Sequence, residues 1–130
     1  NFNSFKNERD KIIAKKNNVN FIVKNSVQLT ESKKKYDLIW VDGAHGYPVV
    51  SIDIINSIYM LNNNGIIMID DIFVDGENYH KMYNSIAAFE TLSELKKNKI
   101  IKFDLIFKRL DANNNCSKQK RKFVAIVKKI

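Results

Sequence analysis

Tyr36 to His45 reads YDLIWVDGAH, and Gly65 to Phe73 reads GIIMIDDIF. Each is a short run of Leu, Ile, Val, Met or Trp that breaks off at Asp. A strand buried on both faces emerges from the edge of a parallel sheet in this way. Between the two runs, Pro48 to Leu61 is apolar-rich, uninterrupted and of helical length. The unit is therefore predicted as strand, loop, helix, turn (Asn62 to Gly65) and strand, one right-handed βαβ crossover. Both strands then run the same way, with Leu38 to Val41 and Ile66 to Ile69 adjacent and central. Asp42, Asp70 and Asp71 emerge together outside the carboxyl ends of the strands, where open α/β sheets bind their ligands.

Outward from this unit, Phe5, Arg9, Ile12, Ile13 and Lys16 share one face of a short amphipathic helix that Asn17 and Asn18 end. Val19 to Lys24 is predicted as a strand, and Val27 to Lys35 as a short helix or loop. On the other side, Asp75 to Tyr83 carries Gly76 and His80 with no periodicity, a loop over the edge of the acids and a candidate lid. Ile86, Phe89, Leu92 and Leu95 mark a helix packed by one face. Ile100 to Leu110 and Lys122 to Lys129 are strands joined by the polar stretch Asp111 to Arg121. Two adjacent strands without a crossover must be antiparallel. The fold class expected is α/β, a Rossmann-like sheet that is mostly parallel with an antiparallel C-terminal strand pair.

The chain has 130 residues and 45% hydrophobic content, which suits a single domain with a real core. It begins at Asn1 rather than Met, so we expect a segment of a longer chain. The net charge of +8 and pI of about 9.5 raise nucleic acid or an anionic membrane as partners. The lysine clusters at Lys33 to Lys35, Lys96 to Lys99 and Lys118 to Lys122 fall in predicted loops or helix ends, which favours a solvated surface over a nucleic-acid groove. No apolar run approaches the roughly 20 residues of a membrane span, and no secretory signal is visible. The one cysteine, Cys116, excludes an internal disulfide and fits a reducing cytoplasm. It is given no role.

The order YDLIWVDGAHGY, helix, NNNGIIMIDD, helix, antiparallel strand pair resembles the C-terminal portion of the class I S-adenosylmethionine-dependent methyltransferases. Within them it is similar to the small-molecule O-methyltransferases with the pattern DG-x-H-x-Y, helix, G-G turn and terminal D-D. The likeness is clearest from Val19 to Phe73. The family's Gly-Gly is Asn64-Gly65 here, and Asn also tolerates the left-handed backbone. The family's Gly-rich cofactor loop and ribose-binding acid have no counterpart, and by the resemblance they would precede Asn1. So would two strands that lie between Val19 to Lys24 and Leu38 to Val41 in the family's sheet. Their absence leaves strand edges unpaired, which invites aggregation or a partner chain, a second copy included.

The resemblance implies S-adenosylmethionine as cofactor and a hydroxyl of a small molecule or sugar as acceptor. Asn25, Ser26, Asp42, Gly43 and His45 are the expected cofactor-binding residues. Asp42, Asp70 and Asp71 are the expected ligands of Mg²⁺ or another divalent cation, which would also relieve the repulsion of three acids at one edge. Against this stands a plain reading in which Asp42 caps the following helix and Asp70 faces solvent, with no shared site. His45, three residues past Asp42, is of the residue type that suits removal of the acceptor's proton, or else it hydrogen-bonds the loop or lines the adenine pocket. His80 is expected on the surface and Trp40 in the core. Two other classes stay open: a nucleotide-dependent Rossmann-type oxidoreductase, since a βαβ sheet alone does not choose the cofactor, and a basic nucleic-acid-binding module. Residues 1 to 130 alone are expected to lack methyltransferase activity.

Overall fold

In a computed structural model, which describes residues 2–74, 86–111 and 120–130, the two acid-tipped runs are parallel neighbours. Tyr36–Val41 is β1, Val49–Met60 is α2, and Leu61–Ile72 is β2. Leu38 to Val41 stand opposite Ile66 to Ile69. Ahead of them lie the helix α1 (Phe2–Ile13) and a 3-10 helix at Ser26–Glu31, and after them α3 (Ile86–Lys97), β3 (Ile101–Asp111) and β4 (Lys120–Lys129). The sheet order is β1-β2-β4-β3, with β4 antiparallel to both neighbours. The expected antiparallel pair is present, and its last strand fills the place beside β2. Of the two acid-tipped strands only β2 is interior; β1 is an edge among the described strands.

The two-residue period of a strand divides the sheet into a covered and an open face. Ile67 and Ile69 of β2, with Ala125 and Val127 of β4, point at α2 and α3 and are buried against Val50, Ile54, Ala88 and Leu92. Ser51 Oγ and Thr91 Oγ1, 2.8 Å apart, tie the two helices together. On the other face Leu38 and Trp40 are 62% and 51% exposed. The expectation of a core Trp40 is thus corrected: Ile39 and Val41 take the helix-facing positions, which turns Trp40 outward.

Val19 to Lys24 joins no ladder, contrary to the predicted strand. A run of four to six apolar residues becomes a strand only where a neighbour offers backbone partners, and β1 pairs through β2 alone. Val19, Phe21, Ile22 and Val23 are left exposed. The amphipathic helix forms but ends at Ile13, before the two asparagines, and its Phe5 and Ile12 are exposed. It is tethered by Arg9, whose guanidinium lies 3.9 Å above the Phe21 ring.

Asn62 to Gly65 is absorbed into β2 as an irregularity: Tyr36 pairs with Leu61 but Leu38 with Ile66. No residue there takes the left-handed backbone that the Asn64-Gly65 pair suggested. Gly65 is needed for space instead, since a Cβ would stand 2.7 Å from Leu61 Cδ1 and 3.0 Å from the Asp37 carbonyl oxygen. The predicted lid and His80, as well as Cys116, lie outside the described residues.

Candidate functional site

The paired acids sit on a β-bulge. Ile69 faces Ala125 and Ile72 faces Phe123, so β2 carries one residue more than β4 across this interval, and Asp71 adopts φ 56°. Asp tolerates the left-handed region better than most residues because its short side chain bonds locally. Adjacent strand residues normally point to opposite faces, and a bulge re-aims one of them. Both carboxylates can then reach the same cation, Lys108, whose Nζ is 2.6 Å from both oxygens of Asp70 and 3.3 Å from Asp71 Oδ1. Lys108 itself stands in a register shift of β3, between Phe107 and Arg109. From β4, Lys122 places Nζ 3.0 Å from Asp71 Oδ1 with only 2% of its side chain exposed.

These lysines set the charge of the pair. Burial pushes the Asp71 carboxyl up, yet the hydrogen bond and charge of Lys122, with those of Lys108 behind them, hold it below the usual carboxylate range. The hydrogen bond from Lys108 to Asp70 outweighs burial, and with Asp71 it raises the Lys108 ammonium above the ordinary lysine value. The positive charge expected among the acids is therefore partly supplied by the protein.

Asp42 follows the last residue of β1, and His45 lies in the turn to α2. Asp42 does not cap that helix: the N-cap is Pro48, which makes no side-chain cap bond. The turn is anchored from α3 by Tyr47, whose hydroxyl donates to Glu90 Oε2 at 2.9 Å. Asp42, His45 and Asp71 each bring one ligand atom within 4.8 Å of the other two. Two carboxylates and an imidazole are a donor set that fits a divalent cation, and the nitrogen favours Mn²⁺, Fe²⁺ or Zn²⁺ over the oxygen-seeking Mg²⁺. The structure thus gathers two of the three expected acids and substitutes His45 for Asp70.

Among the expected cofactor residues, Asn25 uses its side-chain oxygen to accept from the Val27 amide at 3.1 Å, capping the 3-10 helix. The Ser26 carbonyl accepts from Asn56 Nδ2 at 2.9 Å. Gly43 lies against Asp53, whose Oδ2 would be 3.2 Å from a Cβ at that position. Asp53 and Asn56 are three residues apart on α2 and so share a face. The 3-10 helix and the Asp42 turn are thereby held on one side of the same helix. Asp53 Oδ1 is buried with no hydrogen-bond partner among the described residues, an acceptor left over beneath the turn.

Sequence reasoning missed Asp53, Asn56, Lys108 and Lys122. The cluster Lys118 to Lys122 reads as solvated surface, whereas Lys122 is one of the most buried side chains. A signal existed: two adjacent acids at the end of a buried strand need countercharge, and the antiparallel pair beside it carries lysines at that end.

A family profile described as a methyltransferase domain matches residues 2–72, more than half of the chain. No curated protein gives a significant match. Among solved structures, the precorrin 8W decarboxylase of Methanobacterium thermoautotrophicum aligns with a TM-score of 0.50 and 13% identity, covering 88% of this chain and 57% of that one. The likeness is one of fold, and the chain spans little more than half of that protein's length.

Proposed function

The chain belongs to the methyltransferase-domain family, and from that premise we propose that it serves S-adenosylmethionine-dependent methyl transfer to a hydroxyl of a small molecule or sugar, assisted by a divalent cation. The observation that carries the reading is the convergence of Asp42, His45 and Asp71 at the carboxyl edge of β1 and β2. Asp42 and Asp71 would hold the cation, with His45 as the third ligand. When bound, such an ion supplies Lewis acidity that lowers the pKa of a neighbouring hydroxyl. Lys122 keeps Asp71 ionised and oriented, and Lys108 keeps Asp70 away from the ligand set. The turn Asp42 to His45, with Asn25 and Ser26 on the same side of α2, supplies one wall of a cofactor site.

A second role for His45, as acceptor of the substrate's proton, rests on its place in the turn beside Asp42 and Asp71. The roles separate experimentally. As a ligand, His45→Ala weakens cation binding about tenfold or more; as a base, it lowers kcat with cation affinity intact. The test of the whole reading is Mn²⁺ binding to the 130-residue chain, followed by transfer from labelled S-adenosylmethionine to vicinal-hydroxyl acceptors in the longest chain that contains these residues. Loss of both Mn²⁺ binding and transfer on Asp42→Asn is expected. Undiminished transfer in chelator removes the cation from the reading.

A further inference from the structure

At the other end of the sheet a concavity is built between α2, α3 and the end of β4. Its walls are Ile55 and Ile58 of α2, Leu95 of α3, and Ile100 just before β3, and its volume is about 470 Å³. That lies within the range of small-molecule sites, which are mostly apolar with a few convergent polar groups. Beside Tyr59, the polar side chains here are two cations. Lys35, just before β1, donates to the Tyr59 carbonyl oxygen, and Lys129 Nζ donates to the Leu61 carbonyl oxygen at 2.7 Å. Each carbonyl lies at or just past the C-terminus of α2, where cations suit the helix dipole. An ammonium has three donors, and each of these is described with one protein acceptor.

Burial, followed by the charge of Lys35, holds the Lys129 ammonium below its ordinary value. Two like charges thus share a rim that contains no acidic residue among the described ones. Neither lysine makes an ion pair among the described residues.

We propose that this cavity is a binding site for a small amphipathic carboxylate, an alkyl or aryl body seated on Ile55, Ile58, Leu95 and Ile100 with its carboxylate between Lys35 and Lys129. The site is separate from the candidate cation centre. Lys35 and Lys129 stand at the amino end of β1 and Asp42 at its carboxyl end, a strand of six residues or about 20 Å away. The inference does not depend on the methyl-transfer reading.

The test is calorimetric titration of the 130-residue chain with decanoate below its micellar range, beside methyl decanoate and an acidic peptide of similar length. One saturable decanoate site is expected, with affinity at least tenfold above that of the ester. Lys35→Gln/Lys129→Gln should lower decanoate affinity about tenfold or more, as loss of charge-assisted bonds predicts, while Lys35→Arg/Lys129→Arg retains most of it. Circular dichroism of each variant checks that the fold persists, and chemical-shift changes at Ile58 and Leu95 locate the ligand if a Gln variant is too unstable to titrate. Equal binding of ester and acid, preference for the peptide, or unchanged affinity in the Gln variant at a folded state overturns the proposal.

Discussion

Lys108 holds its ammonium nitrogen 2.6 Å from both carboxylate oxygens of Asp70, reaching from β3 across β4 to the bulged end of β2. An acid held in this two-pronged manner has little to offer a cation beside it. The two members of the Asp-Asp pair therefore differ in their partners, although the sequence presents them as equivalents.

The first prediction follows from that asymmetry. Asp42→Asn and Asp71→Asn should each lower Mn²⁺ affinity about tenfold or more, because each removes a charged ligand. Asp70→Asn should lower it by no more than about threefold, the scale of a rim charge in a screened site. Titration followed by electron paramagnetic resonance reads the free ion directly. An Asp70→Asn effect as large as that of Asp42→Asn would return Asp70 to the ligand set.

The second concerns the buried partner of the site. Lys122 is 2% exposed and its ammonium is 3.0 Å from Asp71. Removing one member of a buried pair strands the other charge, at a cost of about 3 to 5 kcal/mol. Lys122→Met should therefore destabilise the fold by about 3 kcal/mol in urea, and Lys122→Met/Asp71→Asn should cost less than the sum of the single changes. Asn is the replacement of choice at 71 because it accepts the left-handed backbone found there. Strict additivity in the cycle would show that the pair is not coupled.

How far the fold could be read in advance depended on whether a residue's place was set locally. Leu38 to Val41 and Ile66 to Ile69 declare themselves because continuous apolar runs ending in Asp have few other uses, and α3 follows from the spacing of Ile86, Phe89, Leu92 and Leu95. Val19 to Lys24 has the same local composition as a strand, but its fate depends on a pairing partner elsewhere. Asp42 and His45 were legible as a spaced motif in one turn. Lys108 and Lys122 were not, since their use depends on the register of a hairpin and on two bulges that composition does not encode. The same holds for Trp40, whose outward turn depends on which face of β1 the helices cover.

The third prediction is the pH profile of stability. Asp71 titrates below its ordinary value in the fold, so its contribution is present above about pH 4, the unfolded carboxylate range, and is lost as pH falls through the lower folded value. Lys108 titrates above its ordinary value, so its contribution is complete below about pH 10.4 and is lost as pH rises through the higher folded value. These two groups should leave stability level between roughly pH 5 and 10, with a loss on either side. Asp71→Asn should flatten the acid limb and Lys108→Met the alkaline limb in urea unfolding at each pH. An acid limb unchanged in Asp71→Asn would assign it to other carboxylates.

The fourth is steric. A methyl group at Gly65 would meet a backbone oxygen, Asp37 O, at 3.0 Å as well as Leu61 Cδ1 at 2.7 Å. The side chain can turn aside but the carbonyl is fixed in the β1 strand, so Gly65→Ala should cost about 1 to 3 kcal/mol, as overpacking does. Thermal unfolding measures it. A neutral substitution would mean that the Asn62 to Gly65 irregularity of β2 repacks freely.

The last prediction concerns the cofactor and follows from which walls of its site these residues can build. Asn25, Ser26 and the turn from Asp42 to His45 gather on one side of α2 through Asn56 and Asp53. The glycines present, Gly43, Gly46, Gly65 and Gly76, form no Gly-x-Gly-x-x-Gly loop after a strand, so they do not build the cradle that the family resemblance implies for the methionine end of S-adenosylmethionine. Each hydrogen bond to a charged group that goes unmade forfeits roughly 1.5 to 3 kcal/mol. Two or three of them amount to at least about a hundredfold in affinity, since each 1.4 kcal/mol is tenfold. The 130-residue chain should therefore show no micromolar S-adenosylmethionine binding and no methyl transfer by itself, while it still binds Mn²⁺ through Asp42, His45 and Asp71. Calorimetry with cofactor and cation in separate titrations reads both halves of this expectation. Tight cofactor binding would place the pocket elsewhere in the chain, whereas failure of Mn²⁺ to bind would remove the cation centre and leave the pocket argument standing.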